Sequence, residues 1–363
     1  MAAPYKVPKL PPKVDYTALV TELGRAHSSL GRLNGLVANL HNPALLSVPL
    51  LTKEAVMSSR IEGTRATLEE VFEYEATKKD SESSEREKDV REIINYRFAL
   101  NSAIKKLEKR PLSENLIKEL HSVLLDSVRG ANKDRGNFRR LQVYIGKPGA
   151  SIEEAEYIPP AAAQVPELMA DLEKYLNSDK EKDPLVQIGV GHYQFEAIHP
   201  FLDGNGRVGR LLIPLFLYER KLLSYPVLYI SEYFEKHRDL YYLLLNEVRL
   251  QEGWTGWLKF FLVAISEESD KTQATVLKIL ELHKQLREEV MSEKSANALV
   301  LLDIIFTTPA VSFVSIKERL KAKSNQTAYN LLDKFAQKGI LKEIPGKKRN
   351  KVYVFSRLLE ILR

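Results

Sequence analysis

The sequence predicts a mainly α-helical protein with one small β-hairpin and a separate C-terminal domain. Most of the chain between residues 15 and 290 places apolar side chains at helical spacing. Before the C-terminal domain, strand character is confined to LQVYIG (141–146) and AEYIPP (155–160), which predict a hairpin with an open loop. Residues 313–363 hold 13 Lys/Arg and 4 Asp/Glu, although the whole chain has a net charge of only +6. This asymmetry indicates an appended domain with an anionic partner.

Composition narrows the class of protein. The chain has 363 residues, 44% hydrophobic and 28% charged, as expected for a globular protein of two or three domains. It has no cysteine, which excludes disulfides and thiolate metal sites and fits a reducing compartment. No apolar run approaches the roughly 20 residues that span a bilayer, and the Pro-rich N-terminal arm lacks a signal-peptide pattern. We therefore expect a cytoplasmic protein with no membrane partner.

The order of predicted elements defines four regions. Helices are predicted at 15–40, 49–62, 65–76, 89–108, 113–128, 164–177, 184–198, 206–220, 231–250 and 254–290. A charged stretch at 78–88 is predicted as a loop. We divide the chain into an N-terminal helical region (1–110), a helical core (111–265), a connecting helix (266–292) and a C-terminal domain (293–363).

The C-terminal domain has the pattern of a winged helix-turn-helix. Three helical segments are followed by strand, basic turn and strand, so the third helix is expected in the major groove and the hairpin against phosphates. The side chains predicted to contact base edges are Asn325, Gln326, Tyr329 and Asn330, and those predicted to neutralise the backbone are Lys347, Lys348, Arg349 and Lys351. The alternative is a domain for protein contacts or dimerisation whose lysines only face solvent.

The segment HPFLDGNGRVGR (199–210) concentrates the residue types that bind phosphate. Gly204, Asn205 and Gly206 allow successive backbone N–H groups to converge on one anion, and a helix starting near Gly206 adds its positive end. Arg207 and Arg210 lie on the first turn of that helix, where guanidinium groups suit phosphate oxygens. The segment therefore predicts a phosphate-binding helix start.

Two further residues of the segment suit catalysis. Asp203 offers a hard oxygen ligand for Mg²⁺ that is held mainly by phosphates and waters. His199 titrates near neutrality and can take a proton from an attacking hydroxyl. Taken singly, a Gly-x-Gly is usually a turn and a histidine is usually a core residue. A transition-metal site with His192 fits no common zinc spacing.

The segment matches, at every defining position, the HPFx(D/E)GNGRxxR signature of Fic-domain proteins. The resemblance spans about residues 110–265 and includes GNFRR (136–140), YIPP (157–160), HYQFEAIHPF (192–201) and WLKFFL (257–262). It implies a helical Fic core with a β-hairpin flap. It also implies transfer of AMP from ATP to a Ser, Thr or Tyr hydroxyl of a protein, with release of pyrophosphate.

The resemblance assigns roles to individual positions. His199 resembles the general base and Asp203 the Mg²⁺ ligand. The nucleotide is expected to contact Gly204, Asn205, Gly206, Arg207, Val208, Gly209 and Arg210, with Tyr242 in the adenine pocket. The flap is expected to hold a target protein by strand addition, with Ile145 and Tyr157 contacting target and nucleotide.

A second motif gains meaning from this resemblance. SSRIEG (58–63) fits the (S/T)xxxE(G/N) inhibitory motif that many Fic proteins carry on a helix before the core. By itself it is a helix end with Gly63 as the cap residue. The resemblance implies that Glu62 pairs with Arg210 and occupies the place of the terminal phosphate, while Ser58 anchors the helix end.

Several alternatives remain at this stage. The same fold can use another nucleotide or phosphorylated donor, because the base pocket is not legible from the sequence. It can also remove AMP from a modified target, with Glu62 positioning a water. A third alternative is a DNA-binding regulator whose core only senses a nucleotide. Self-association as a homodimer is expected by analogy with many Fic proteins.

Overall fold

The computed structural model describes residues 4–40, 42–77, 85–126, 133–146, 149, 151–292, 295–320, 325–344 and 351–363. The helices before the C-terminal region are α1 (Val20–Ala38), α2 (Ala44–Ile61), α3 (Leu68–Thr77), α4 (Glu85–Leu107), α5 (Glu114–Leu124), α6 (Val165–Leu176), α7 (Pro184–Ile198), α8 (Asn205–Glu219), α9 (Ser231–Lys236), α10 (Arg238–Gln251) and α11 (Trp254–Met291).

Helix α7 forms the centre of the helical body because it is apolar on nearly every side. Almost all of its residues are buried, which is typical of a helix enclosed by neighbours. It packs against α6, α8 and α11, and Trp257 on α11 donates a hydrogen bond to the Gly189 carbonyl (2.9 Å). Helix α11 also packs along α1. Within the described residues, no helix is long and apolar enough to cross a membrane.

Several helix boundaries differ from the sequence prediction, and residues 85–88 of the predicted charged loop belong to helix α4. Helix α2 begins at Ala44, five residues earlier than predicted, and carries Pro49 inside it. Its apolar side chains, including Leu46 and Leu50, are buried, and this packing offsets the hydrogen bond that proline cannot donate. The helix predicted at 231–250 is broken at His237, whose φ of −111° and ψ of 35° leave the helical region.

The predicted hairpin is reduced to a single antiparallel bridge between Ile145 and Tyr157. Side chains take the carbonyls that a ladder would use: Gln142 donates to Pro159 (2.9 Å) and Arg139 donates to Pro160 (2.6 Å). The two prolines themselves have no N–H to offer. The flap, residues 141–160, is therefore a pinned loop rather than a two-stranded ribbon, and residues 147, 148 and 150 lie outside the described part.

The C-terminal region contains the predicted helices and strands together with two elements that were not predicted. It comprises α12 (Ala296–Thr307), β1 (Ala310–Ser312), α13 (Phe313–Arg319), α14 (Asn325–Gln337), β2 (Lys342–Glu343), β3 (Val352–Val354) and α15 (Ser356–Leu362). The strands form an antiparallel sheet in the order β1-β3-β2, with Val311 opposite Tyr353. Strand β1 and helix α15 are too short to give a periodic signal.

This region packs against the N-terminal helices. Helix α12 contacts α2, while β1 and β3 contact α3. Arg363 adds an ion pair with Glu69 on α3 (2.7 Å). The predicted basic tip, with Lys347, Lys348 and Arg349, lies outside the described residues.

Candidate functional site

A cavity of about 470 Å³ lies between the end of α2, the flap and helices α7, α8 and α10. The structure brings to it predicted site residues that are far apart in sequence. Those that line it are Glu62, Ile145, Tyr157, His199, Gly206, Arg210 and Tyr242. The HPFLDGNGRVGR segment, the inhibitory motif and the flap therefore form one site.

His199 ends helix α7 in a left-handed conformation, with φ 50° and ψ 60°. A non-glycine residue is uncommon there, and the strain is held by surrounding contacts. Arg139, which is 2% exposed, donates from Nε to the His199 carbonyl (2.8 Å) and from its backbone N–H to Pro200 (2.8 Å). Arg139 belongs to the GNFRR segment, but its role as the clamp of this turn was not predicted. A fully buried arginine is rare without such partners.

The environment of His199 keeps its imidazole neutral. Burial, with a smaller contribution from the Arg139 charge, lowers the pKa of His199 to about 4, although Glu62 acts in the opposite direction. Its Nδ1 atom is buried and has no hydrogen-bond partner among the described residues. A neutral imidazole with an unused nitrogen can accept a proton at pH 7.

Helix α8 begins at Asn205, and Gly204 precedes it with φ 76°, a conformation that favours glycine. Its first backbone bond runs from the Val208 N–H to the Gly204 carbonyl (3.1 Å). The N–H groups of the first turn are those that a helix leaves without internal acceptors. We name residues 204–207 the phosphate cradle.

Two residues expected to contact nucleotide serve the local fold instead. The Asn205 amide accepts from the Phe201 N–H (2.8 Å) and donates to its carbonyl (2.9 Å), so only the Asn205 backbone is available to an anion. The Val208 side chain is fully buried and does not line the cavity. Phe201 is fully buried and stacks on His121 with ring centroids 3.8 Å apart.

Glu196 is a site residue that the sequence did not reveal. It lines the cavity one turn before His199, and its Oε1 is buried without a partner among the described residues. A Cβ on Gly209 would lie 2.2 Å from this oxygen, so glycine at 209 makes room for the carboxyl group. Burial raises the pKa of Glu196 to about 7, with Arg210 opposing the shift. The sequence gives no signal for this burial.

Asp203 fits the expected magnesium ligand. Its side chain is 41% exposed, and Oδ1 accepts from the Gly204 N–H (2.6 Å) and lies 3.6 Å from Arg207 Nη2. The described residues contain no cluster of three or more His, Asp or Glu side chains that could hold a metal alone. One accessible carboxylate beside a phosphate cradle suits Mg²⁺, which keeps waters and takes most ligands from phosphates.

Arg210 is buried (2% exposed) and is bound to the inhibitory motif. Its Nη2 contacts Glu62 Oε1 (2.7 Å), which is the pair that the resemblance implied. Ser58, expected to anchor the helix end, accepts from Arg210, at its Oγ from Nε (2.8 Å) and at its carbonyl from Nη2 (2.9 Å). Burial alone raises the pKa of Glu62, but the charge and the hydrogen bond of Arg210, together with the Arg207 charge, outweigh burial and hold the pKa below the usual value.

Glycines make the Glu62–Arg210 contact possible. Gly63 follows Glu62 with φ 93°, as predicted for the cap residue, and turns the chain at the end of α2. A Cβ on Gly206 would lie 2.3 Å from Glu62 Oε1 and 2.9 Å from Arg210 Nη1. The ion pair therefore lies directly over the phosphate cradle.

The flap and the N-terminal arm close the side of the cavity. The Tyr157 hydroxyl donates to the Ala197 carbonyl, and the half-exposed Ile145 and Tyr242 side chains line the opening. The Pro-rich N-terminal arm donates from the Tyr5 N–H to the Ile158 carbonyl (2.9 Å). Tyr5 also makes a hydroxyl–hydroxyl contact of 3.1 Å with Tyr193.

A helix start whose first N–H groups lack acceptors within the helix, a buried histidine, one accessible carboxylate and a buried arginine are features typical of a phosphate-binding site. Residues 20–105 match the Fic/DOC family N-terminal domain, and residues 111–217 match the Fic/DOC family domain. The chain belongs to the Fic/DOC family.

Curated relatives carry the name protein adenylyltransferase. The protein adenylyltransferase Fic of Drosophila mojavensis is 30% identical over 199 residues, which cover 53% of this chain and 35% of that protein. The one from Drosophila melanogaster is 35% identical over 135 residues, covering 36% of this chain and 23% of that protein. The match thus spans about a third or less of these relatives.

Solved structures share the fold along most of the chain. A Fic family protein from Desulfovibrio desulfuricans superposes with a TM-score of 0.60 at 24% identity, covering 95% of this chain and 98% of that one. A Fic domain containing signaling protein from Bacteroides thetaiotaomicron gives a TM-score of 0.55 at 19% identity, covering 72% and 97%. These likenesses establish the helical Fic fold.

Proposed function

We propose that the chain is an autoinhibited protein adenylyltransferase that transfers AMP from ATP to a hydroxyl side chain of a protein. The observation that carries this proposal is that His199, the Gly206 backbone of the phosphate cradle and Arg210 line one cavity. The names of the curated relatives support the same reaction.

His199 acts as the general base. It takes the proton of the target hydroxyl while the hydroxyl oxygen attacks the α-phosphorus of ATP. The bond between this phosphorus and the oxygen that bridges to the β-phosphate then breaks, and pyrophosphate leaves. The protein forms no covalent intermediate in this scheme, so its contribution is alignment and charge neutralisation.

The remaining groups of the site hold the triphosphate. The N–H groups at the start of α8 and the Arg207 guanidinium bind phosphate oxygens, and Arg210 binds the terminal phosphate. Asp203 would hold Mg²⁺, which when bound offsets phosphate charge. Tyr242, on the cavity wall, is placed to contact the base. These assignments rest on the geometry of the cavity and on the Fic resemblance.

Glu62 switches the site off. Its carboxylate lies on Arg210 and directly over Gly206, where the terminal phosphate of a productively bound ATP needs to lie. ATP that binds beside Glu62 then has its α-phosphate turned away from in-line attack. Release of the end of α2 restores the phosphate site.

The flap holds the target protein. Leu141, Tyr144 and Ile145 expose between 40% and 67% of their surface at its outer edge. Among the described residues one bridge pairs its two arms, and the outer edge that carries these side chains is where an added strand would pair. Backbone pairing of this kind gives affinity with little sequence choice, and self-modification is one consequence.

The test uses ATP labelled at the α- or the γ-phosphate and the Glu62→Gly protein. We expect protein-bound label from the α-position only, and none from His199→Ala in the same background. His237→Ala, a histidine that does not line the cavity, is the matched control and should label normally. Label from the γ-position, or persistent labelling without His199, overturns the mechanism. Loss of AMP from a pre-modified target without net transfer indicates removal of AMP instead.

We further propose that the C-terminal region is a winged helix-turn-helix that contacts DNA. The order of its helices and strands supports this function, as do the exposed Asn325, Gln326, Tyr329 and Asn330 on α14. Loss of one phosphate contact in Lys348→Ala should reduce the slope of log affinity against log salt by about 0.9. The exposed Lys278→Ala on α11 should leave the slope unchanged. DNA affinity that does not depend on salt would contradict this function.

A further inference from the structure

The turn that carries Glu62 is fixed to helix α4 by two carboxylates. We name residues 62–65 the inhibitory turn. Its Thr64 hydroxyl donates to Glu92 Oε2 (3.2 Å), and the Arg65 N–H donates to Asp89 Oδ2 (3.1 Å). Asp89 and Glu92 are three residues apart on α4, so they lie on one face of that helix. Thr64 is only 5% exposed.

The same oxygen of Glu92 also binds the phosphate cradle. Arg207 Nη1 donates to Glu92 Oε2 at 3.0 Å, and the two side chains are 5% and 4% exposed. Burial raises the pKa of Glu92, whereas the Arg207 charge opposes the shift. Arg207 Nε is buried without a partner among the described residues, so this arginine keeps hydrogen-bonding capacity that Glu92 does not use.

One carboxylate oxygen therefore connects the inhibitory turn to the cradle. Because the Thr64 hydroxyl and the Arg207 guanidinium both bind this oxygen, the distance between the inhibitory turn and the cradle is fixed. With the turn in this position Glu62 meets Arg210, and the absence of a Cβ at Gly206 leaves room for the contact. A shift of the turn away from α4 would carry the Glu62 carboxylate off Arg210.

We propose that Glu92 is a positioning residue that orients Arg207 for phosphate and, through Thr64, holds the inhibitory turn in its blocking position. The resting protein then has a glutamate contact on each of its two buried phosphate-binding arginines, Glu62 on Arg210 and Glu92 on Arg207, and Asp203 lies 3.6 Å from Arg207 as well. This inference rests on the proposed function and extends it to the helix that precedes the Fic core.

The test, made in the full chain, distinguishes the contact of Glu92 with Thr64 from its contact with Arg207. Thr64→Val keeps the buried volume but removes the hydroxyl, so transfer of AMP from ATP should rise about tenfold, the change expected for one lost hydrogen bond to a charged group. The same substitution in the Glu62→Gly background should change nothing. Thr64→Ser restores the hydroxyl and should return transfer to the parental rate.

Glu92→Gln changes both contacts, the one with Thr64 and the one with Arg207. In the Glu62→Gly background it should raise KM for ATP about tenfold, because Arg207 loses its charged partner, whereas Thr64→Val should not move KM. The matched control is Thr52→Val, which removes another fully buried hydroxyl, on α2, that bonds Val48 and Arg97 rather than the turn. It should leave transfer unchanged in the parent.

Hydrogen exchange decides the proposal even if no transfer is detected. Amides of residues 62–65 should exchange faster in Thr64→Val and in Glu92→Gln than in the parent or in Thr64→Ser. Unchanged exchange, or an equal rise of transfer in both backgrounds, overturns the role of Glu92. Absence of transfer in Glu62→Gly itself counts against the proposed function alone.

Discussion

Replacement of Glu62 by glycine removes the inhibitory contact with Arg210, and the free energy of that contact sets the expected change in AMP transfer. Arg210 is 2% exposed and lies 2.7 Å from the Glu62 carboxylate, so the arginine of this ion pair is buried. Removing one partner of such a pair costs about 3–5 kcal/mol, because the remaining charge is left without compensation. In Glu62→Gly the terminal phosphate of ATP supplies the missing negative charge.

Only part of that energy reappears as productive nucleotide binding, because Ser58 still contacts Arg210. Taking about 3 kcal/mol, we expect AMP transfer at limiting ATP to rise on the order of 100-fold. The assay is the initial rate of α-phosphate incorporation. Glu252→Gly is the matched control, because Glu252 is exposed with φ 54°, where glycine fits without strain. Equal rates in the parent and Glu62→Gly would refute the inhibitory role.

Three further predictions follow from the buried groups. Because its pKa is lowered to about 4, His199 stays neutral above about pH 5. Histidine NMR, with His199→Asn used to assign the signal, should give a titration midpoint for His199 below pH 5 rather than above 6. Burial raises the pKa of Glu54 from 4.5 to about 7, so the contribution of this group to stability is full below pH 4.5 and falls by about 3 kcal/mol as pH rises to 7. In urea unfolding, Glu54→Gln should remove this share of the decline and leave the share from Glu196, whose pKa is also raised to about 7. A pH dependence identical to that of the parent would contradict the assignment. Asn205→Ala should lower the free energy of unfolding by about 2–4 kcal/mol, because it leaves two backbone groups of Phe201 unpaired, and a loss below 1 kcal/mol would contradict this role.

The twelve-residue segment was predictable because its chemistry is local. The turn, the start of α8 and the positions of His199 and Asp203 follow from neighbouring residues. The Glu62–Arg210 contact joins distant parts of the chain, and only the family resemblance indicated it.

The remaining residues of the site could not be predicted because their roles depend on burial. Arg139, Glu196 and Glu92 are polar side chains in sequence contexts that give no periodic or spacing signal. The hairpin was overpredicted for a related reason. Its apolar-aromatic pattern is typical of strands, but side chains from Arg139 and Gln142 take the carbonyls that a ladder requires.

The central claim is that Glu62 and the terminal phosphate of ATP compete for Arg210. Calorimetric titration of ATP and of AMP into the parent and into Glu62→Gly tests this most directly, because AMP lacks the phosphates that reach Arg210. The account predicts that the substitution strengthens ATP binding markedly and leaves AMP binding unchanged. An equal gain for both nucleotides, or none for ATP, would contradict it.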